Sequence, residues 1–288
     1  MKNKLIMHIN YFEQGQSIDR VCEKAVGLGF DGVEFRNRRP GAGDDMDEYL
    51  EAIYKAASKH GLGTVMFGGG APDLMSEDAG VRDETLGYCM DFYPKAHEMF
   101  GFDVCNLLLG ALLNISAEVR YSEFSRHGSF MAESHHWERA VDGLRKLASI
   151  AEKRGFKFAM ETHPNFLHDT VDSAVRLARD SGSNCIGVNL DYINANVLPG
   201  DISIEDAISK TGDRLYYVHL KNVIKVESGG KLRTGLGDGE FNNRTIMKKL
   251  HESGYEYPVC IEAPRQGDRE WFAAQDAAYI KSVMKEIG

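Results

Sequence analysis

The sequence predicts an α/β fold, a single (β/α)8 TIM barrel covering residues 1–288, on three observations. Short aliphatic runs alternate with amphipathic segments along the whole chain. The runs are continuously apolar, as parallel strands buried on both faces require. No linker, repeat or low-complexity tract interrupts the alternation. Eight such units in 288 residues come to about 36 residues each, the size of one barrel repeat. A doubly wound open sheet would alternate in the same way, but no G-x-G-x-x-G follows the first strand.

Taken in order, the predicted strands are 4–10, 32–36, 63–67, 104–109, 157–162, 185–191, 215–221 and 258–263. Between the first two, residues 18–28 put Val21, Cys22, Ala25, Val26 and Leu28 on one helical stripe. Residues 137–151 do the same with Ala140, Leu144, Leu147 and Ile150. Gly29, Gly61, Gly155 and Gly254 each stand between a helix and the next strand, where a residue able to take positive φ ends the helix. The helix at 82–99 contains Pro94, which has no N–H for the helical ladder and is expected to kink or split it. Residues 111–135 are too many for an ordinary loop and carry Arg120, Ser122, Arg126, His127 and Ser129. They are expected to form either a lid at the carboxyl ends of the strands or a solvated connection with its own short helix.

Composition narrows the partners. With 34 Lys+Arg against 43 Asp+Glu the net charge is −9, which weighs against nucleic-acid backbones and anionic lipid. No apolar run approaches the roughly 18–20 residues of a membrane span, so no membrane partner is expected. The apolar stretch before His8 is too short for a signal-peptide core. Cys22, Cys89, Cys105, Cys185 and Cys260 are scattered, odd in number and form no C-x-x-C pair. A cytoplasmic protein without disulfides is expected.

The chemistry collects at strand ends. In a barrel the active site lies at the carboxyl ends, and the last four predicted strands finish at Glu161, Asp191, His219 and Glu262. Singly these read as a salt-bridged carboxylate, a helix N-cap or a core histidine. Together, three carboxylates and an imidazole make the ligand set of one divalent metal ion. Its oxygen-rich character favours six-coordinate Mn²⁺ or Mg²⁺, with Co²⁺ a further option, over tetrahedral structural Zn²⁺.

Glu161-Thr162-His163, Asp191, His219-Leu220-Lys221, Gly237-Asp238-Gly239-Glu240-Phe241, Gly254-Tyr255 and Glu262 follow one another in an order that resembles the xylose isomerase-like TIM-barrel superfamily, specifically its sugar phosphate isomerase/epimerase group. The resemblance covers essentially the whole chain. It implies Mn²⁺ held by Glu161, Asp191, His219 and Glu262, with the two glutamates moving a substrate proton through a metal-stabilised enediolate. It also implies a small-molecule carbohydrate substrate and admits a homo-oligomer. Arg233 resembles the arginine that ketose 3-epimerases place on a substrate hydroxyl, and Lys221 is a candidate to orient hydroxyls. Asn194 stands where those epimerases carry a substrate-binding histidine. His163, two residues beyond Glu161, is a candidate acid/base or an orienter of a metal ligand. His8 and Glu34 are candidates to line the mouth, and Trp271 and Phe67 to stack on a sugar, with core packing favoured for Phe67. Lys231 and Arg233 occupy the positions of the Asp-x-His pair of the related endonuclease IV branch, which argues against a trinuclear zinc site. Gly68-Gly69-Gly70 leads into Ala71-Pro72 without a Lys or Ser/Thr of a phosphate cradle, so a non-phosphorylated keto sugar or polyol is expected. Two other outcomes remain open on this reading: a lyase or dehydratase that expels a β-substituent after the same proton abstraction, and a non-catalytic sugar-binding subunit.

Overall fold

The structure is a computed structural model and describes residues 2–37, 45–226 and 230–288. In chain order the elements are β1 (Leu5–His8), α1 (Ile18–Gly27), β2 (Gly32–Arg36), α2 (Met46–His60), β3 (Thr64–Gly68), α3 (Ala79–Phe100) and β4 (Val104–Leu107). There follow α4 (Ser134–Arg154), β5 (Lys157–Glu161), α5 (Val171–Asp180), β6 (Ile186–Asp191), α6 (Tyr192–Asn196), α7 (Ile204–Thr211) and β7 (Leu215–Leu220). The chain ends with β8 (Val223–Lys225), β9 (Lys231–Arg233), α8 (Asn243–Glu252), β10 (Val259–Ile261) and α9 (Arg269–Ile287). Each of the eight predicted strands is present. The β8–β9 hairpin is antiparallel and too short to register as a hydrophobic run.

The elements fall into two compact units. The first gathers β1, α1, β2, α2 and most of β3 with the end of β7, the hairpin, α8, β10 and α9. Here β1 pairs in parallel with β2 on one side and β10 on the other, and β10 pairs in parallel with β7. The register sets Ile6 against both Gly32 and Cys260, and Cys260 against His219. His8 lies against Glu34 one layer further along. Because side chains alternate along a strand, His8, Glu34 and His219 point to the same face of the sheet as Ile6, Gly32 and Cys260. Gly32 is required where it stands: a Cβ there would lie 2.4 Å from the Thr64 carbonyl oxygen and 2.9 Å from Ile6 Cδ1.

The second unit holds α3, β4, α4, β5, α5, β6, α6, α7 and the start of β7. Parallel β4–β5 and β5–β6 ladders align Asn106 with Ala159 and Glu161 with Asn189. Its core is aromatic: Phe67 meets Phe92 edge-on at 5.0 Å between ring centroids, and Tyr93 meets Phe158 at 4.7 Å. Phe67 is fully buried, the core role the sequence favours for it.

Helix ends follow the local code. Ser17, Asp45, Asp78, Thr170, Ser203, Asn242 and Asp268 cap their helices by accepting backbone N–H bonds. Gly29, Gly61, Gly155 and Gly254 all have positive φ, as expected. One expectation needs correction: Pro94 does not split its helix, because α3 runs unbroken from Ala79 to Phe100. Phe92, Tyr93 and Ala96 are buried around the proline, so tertiary packing holds the helix across the missing hydrogen bond. Residues 111–133 contain two short 3-10 turns, at Phe124–Arg126 and Gly128–Met131. The five cysteines, all among the described residues, form no disulfide. Among the described residues no helix is long and apolar enough to cross a membrane.

Candidate metal centre

Glu161 and Asp191 end the neighbouring strands β5 and β6, and each is buried. An amide holds either oxygen of Glu161: Asn106 Nδ2 donates to Oε2 at 3.1 Å and Asn194 Nδ2 to Oε1 at 3.2 Å. Asn189 in turn donates to Asn106 Oδ1 at 2.9 Å. Asp191 Oδ1 accepts the Asn194 backbone N–H at 2.8 Å, so the same carboxylate caps α6. The Thr162 hydroxyl both accepts from Asp191 N and donates to Asp191 O, each at 2.9 Å, which locks the two strand ends together. Behind them His168 is wholly buried, accepts the Leu109 N–H on Nε2 and therefore donates its Nδ1 proton to the Glu161 carbonyl. Burial pushes this imidazole down to about 4, so it is neutral at physiological pH.

In the other unit His219 sits between two carboxylates. Its Nε2 is 2.9 Å from Glu34 Oε2 and its Nδ1 is 3.1 Å from Glu262 Oε2. Lys221 Nζ lies 3.0 Å from the same Glu262 oxygen, and Asn10 Nδ2 donates to Oε1 at 2.9 Å. Burial by itself would raise the Glu262 carboxyl, but Lys221, His8 and His219 together hold it well below the usual carboxylate range. The turn after Glu262 is braced from below: Ala263 N–H donates to the Tyr11 hydroxyl, which donates to Asp276, which also accepts from Arg265. His8 accepts the Asn10 N–H on Nδ1 and turns Nε2 towards Glu34 Oε1 at 3.7 Å.

The donor chemistry fits a cation. If Glu34 takes the Nε2 proton of a neutral His219, Nδ1 and Glu262 Oε2 are two acceptors facing each other at 3.1 Å. A proton on Nδ1, the form in which His219 lowers Glu262, satisfies that contact, and a metal ion taking the proton's place would satisfy it equally. A different group, Glu77 with His135 and His136, also brings ligand atoms together. It suits a cap better than a metal, since His136 Nδ1 accepts the Glu133 N–H and Arg139 clamps Glu77 at 3.0 Å.

The other candidates are placed as follows. Asn194 is bound to Glu161 and Asp191, Lys221 to Glu262, and His8 faces Glu34. His163 lies beyond the end of β5, with Nδ1 at the Pro164 carbonyl and its ring edge-on to Phe166. Arg233 is exposed on β9, and Trp271 is 60% exposed in the first turn of α9. Sequence reading missed Asn10, Asn106 and Asn189, and took Glu34 as a candidate to line the mouth rather than as a partner of His219. Their only local signal is a polar residue inside an apolar strand run or at its end.

A model of the xylose isomerase-like TIM barrel matches residues 22–283. The chain belongs to the xylose isomerase-like TIM-barrel family. Its fold is therefore the (β/α)8 TIM barrel, and the solved xylose isomerase-like TIM barrel protein of Mycobacterium smegmatis in complex with magnesium agrees. That structure aligns with a TM-score of 0.76 at 19% identity over 99% of this chain and 98% of its own. The D-psicose 3-epimerase of Ruminiclostridium cellulolyticum is 27% identical over 263 residues, 88% of this chain and 80% of that protein. The inosose dehydratase of Clostridium perfringens is 24% identical over 171 residues, 54% of this chain and 57% of that protein. The chain thus spans less than two thirds of the dehydratase it matches.

Proposed function

We propose that this family member is a divalent-metal-dependent isomerase or epimerase of a keto sugar or polyol, acting in the cytoplasm, with Glu161, Asp191, His219 and Glu262 as the ligands of one ion. Mn²⁺ suits three carboxylates and one imidazole best, with Mg²⁺ and Co²⁺ as substitutes. The observation that carries the reading is His219, whose Nδ1 faces the Glu262 carboxylate while Glu34 occupies Nε2. Membership of the family and the likeness to a D-psicose 3-epimerase support it.

A bound divalent ion supplies Lewis acidity, polarising a substrate carbonyl and stabilising the charge that develops on its oxygen. The chain's own part is proton movement. One of Glu161 and Glu262 removes the proton from the carbon next to the carbonyl, and the other returns a proton to the opposite face or to the adjacent carbon. Asn106 and Asn194 aim the Glu161 oxygens, while Lys221 keeps Glu262 in its basic, ionised form. Arg233, Asn194, His8 and Trp271 are proposed to contact the sugar, and His163 to assist proton transfer. A second reading draws on the likeness to an inosose dehydratase: the same abstraction followed by loss of a β-substituent.

Protein prepared without chelator should carry about one divalent ion per chain, and the double variant Glu161→Gln/Asp191→Asn should lose it. Incubated in D₂O with ketoses and 3-keto sugars, the loaded enzyme should build deuterium into the substrate without eliminating a group. Elimination would favour the dehydratase reading. A chain that bound no metal and exchanged no substrate across such a panel would overturn both.

A further inference from the structure

We infer that Glu34 is a positioning residue for the metal centre, one that takes the Nε2 proton of His219 and thereby presents the Nδ1 lone pair to the ion. The inference deepens the proposed metal-dependent reading and rests on it.

Three features of the first unit carry it. Glu34 is completely buried in the middle of β2, a costly place for a carboxylate that has no task. The strand register sets it beside His8 and one layer from His219, and its Oε2 reaches His219 Nε2 at 2.9 Å, a normal length for a charge-assisted hydrogen bond. Finally, a neutral imidazole has one N–H. Committing it to Glu34 leaves Nδ1 as the acceptor that faces Glu262 Oε2 at 3.1 Å. A carboxylate on the far nitrogen of a ligating histidine fixes its tautomer and ring orientation and makes it a better donor. His8 completes the arrangement, because the Asn10 N–H on its Nδ1 leaves the Nε2 proton to face the other Glu34 oxygen.

The opposite assignment is concrete. Glu34, His219 and Cys260 each offer a ligand atom, and these lie within 4.8 Å of one another. An ion on that side would use Nε2, with Glu34 as a ligand and no orienting role.

The test uses the full chain. Mn²⁺ affinity is measured by chelator competition for the wild type, Glu34→Ala and Glu34→Gln, together with the melting temperature of each metal-free protein. We expect Glu34→Ala to weaken Mn²⁺ about 10–100-fold. Glu34→Gln, whose amide oxygen still accepts the Nε2 proton, should recover part of that loss. In ¹⁵N-histidine spectra of the Mg²⁺-loaded wild type, His219 should carry its proton on Nε2. Equal Mn²⁺ affinity in all three proteins would overturn the inference while leaving the metal reading intact, as would a proton on Nδ1. So would a thiolate charge-transfer band in the Co²⁺-loaded protein that vanishes in Cys260→Ala. Wild type that binds no Mn²⁺ would instead overturn the reading beneath it. If Glu34→Ala fails to fold, the tautomer in the wild type and the Glu34→Gln affinity still decide.

Discussion

His168 and Asp169 are adjacent, both fully buried, and pull stability in opposite directions with pH. Burial lowers His168 from 6.5 to about 4, so the fold prefers the neutral ring. Its contribution is complete above pH 6.5 and is lost as pH falls towards 4. Burial raises Asp169 from 3.8 to about 6, so the fold prefers the protonated acid. That contribution is complete below 3.8 and is lost as pH rises towards 6. At about 1.4 kcal/mol per pH unit each is on the order of 3 kcal/mol, and the two nearly cancel. Removing one should expose the other. Asp169→Asn should lose stability on acidification from pH 6.5 to 4.5, and His168→Gln should gain it, as read from urea midpoints at both pH values. Parallel midpoints in the two variants would refute the pairing. Neither residue stood out in the sequence, because a histidine and an aspartate in a loop look like solvated surface until the fold buries them.

At the scale of elements, the segment 111–133 is tied to the loop after β5 by more than sequence polarity suggested. Ala111 bridges Phe166, Leu112 N–H donates to Asn165 O, and Ser129 N–H donates to Asp169. Gly128 sits in this seam at φ 58°, where a Cβ would lie 2.1 Å from Asp169 Oδ2. Gly128→Ala should therefore cost about 1–3 kcal/mol by denaturant unfolding, a sum of positive-φ strain and a displaced carboxylate. In α3 the opposite change is expected. Pro94→Ala restores the N–H towards the Met90 carbonyl and should stabilise the protein by about 2 kcal/mol, partly offset by a freer unfolded chain. An unchanged or lower midpoint would mean that the helix needs the proline's shape. The helix was visible in the sequence but its continuity was not, since the cost of an interior proline is local while the aromatic packing that outweighs it comes from strands β3 and β5.

For the whole molecule, an ion that binds only the folded state adds stability by mass action. With free Mn²⁺ at a thousand times its dissociation constant the gain is about 4 kcal/mol. Thermal melts with Mn²⁺ and with chelator should differ accordingly. Coincident melts would be incompatible with a resident ion at the proposed ligands.

Amino-acid order alone sufficed for the alternation of strands and helices, the glycines that end helices, and the succession Glu161, Asp191, His219, Glu262 at strand ends. These are legible because periodicity and capping are local: a strand's burial and a helix's termination are written in its own residues. Partnership is not local. Glu34 meets His219 across 185 positions and Asn10 meets Glu262 across 252, through a strand register that no single segment encodes. Tertiary structure therefore decided which carboxylate each nitrogen of His219 faces, Glu34 at Nε2 and Glu262 at Nδ1, because both contacts are made across strands distant in the chain.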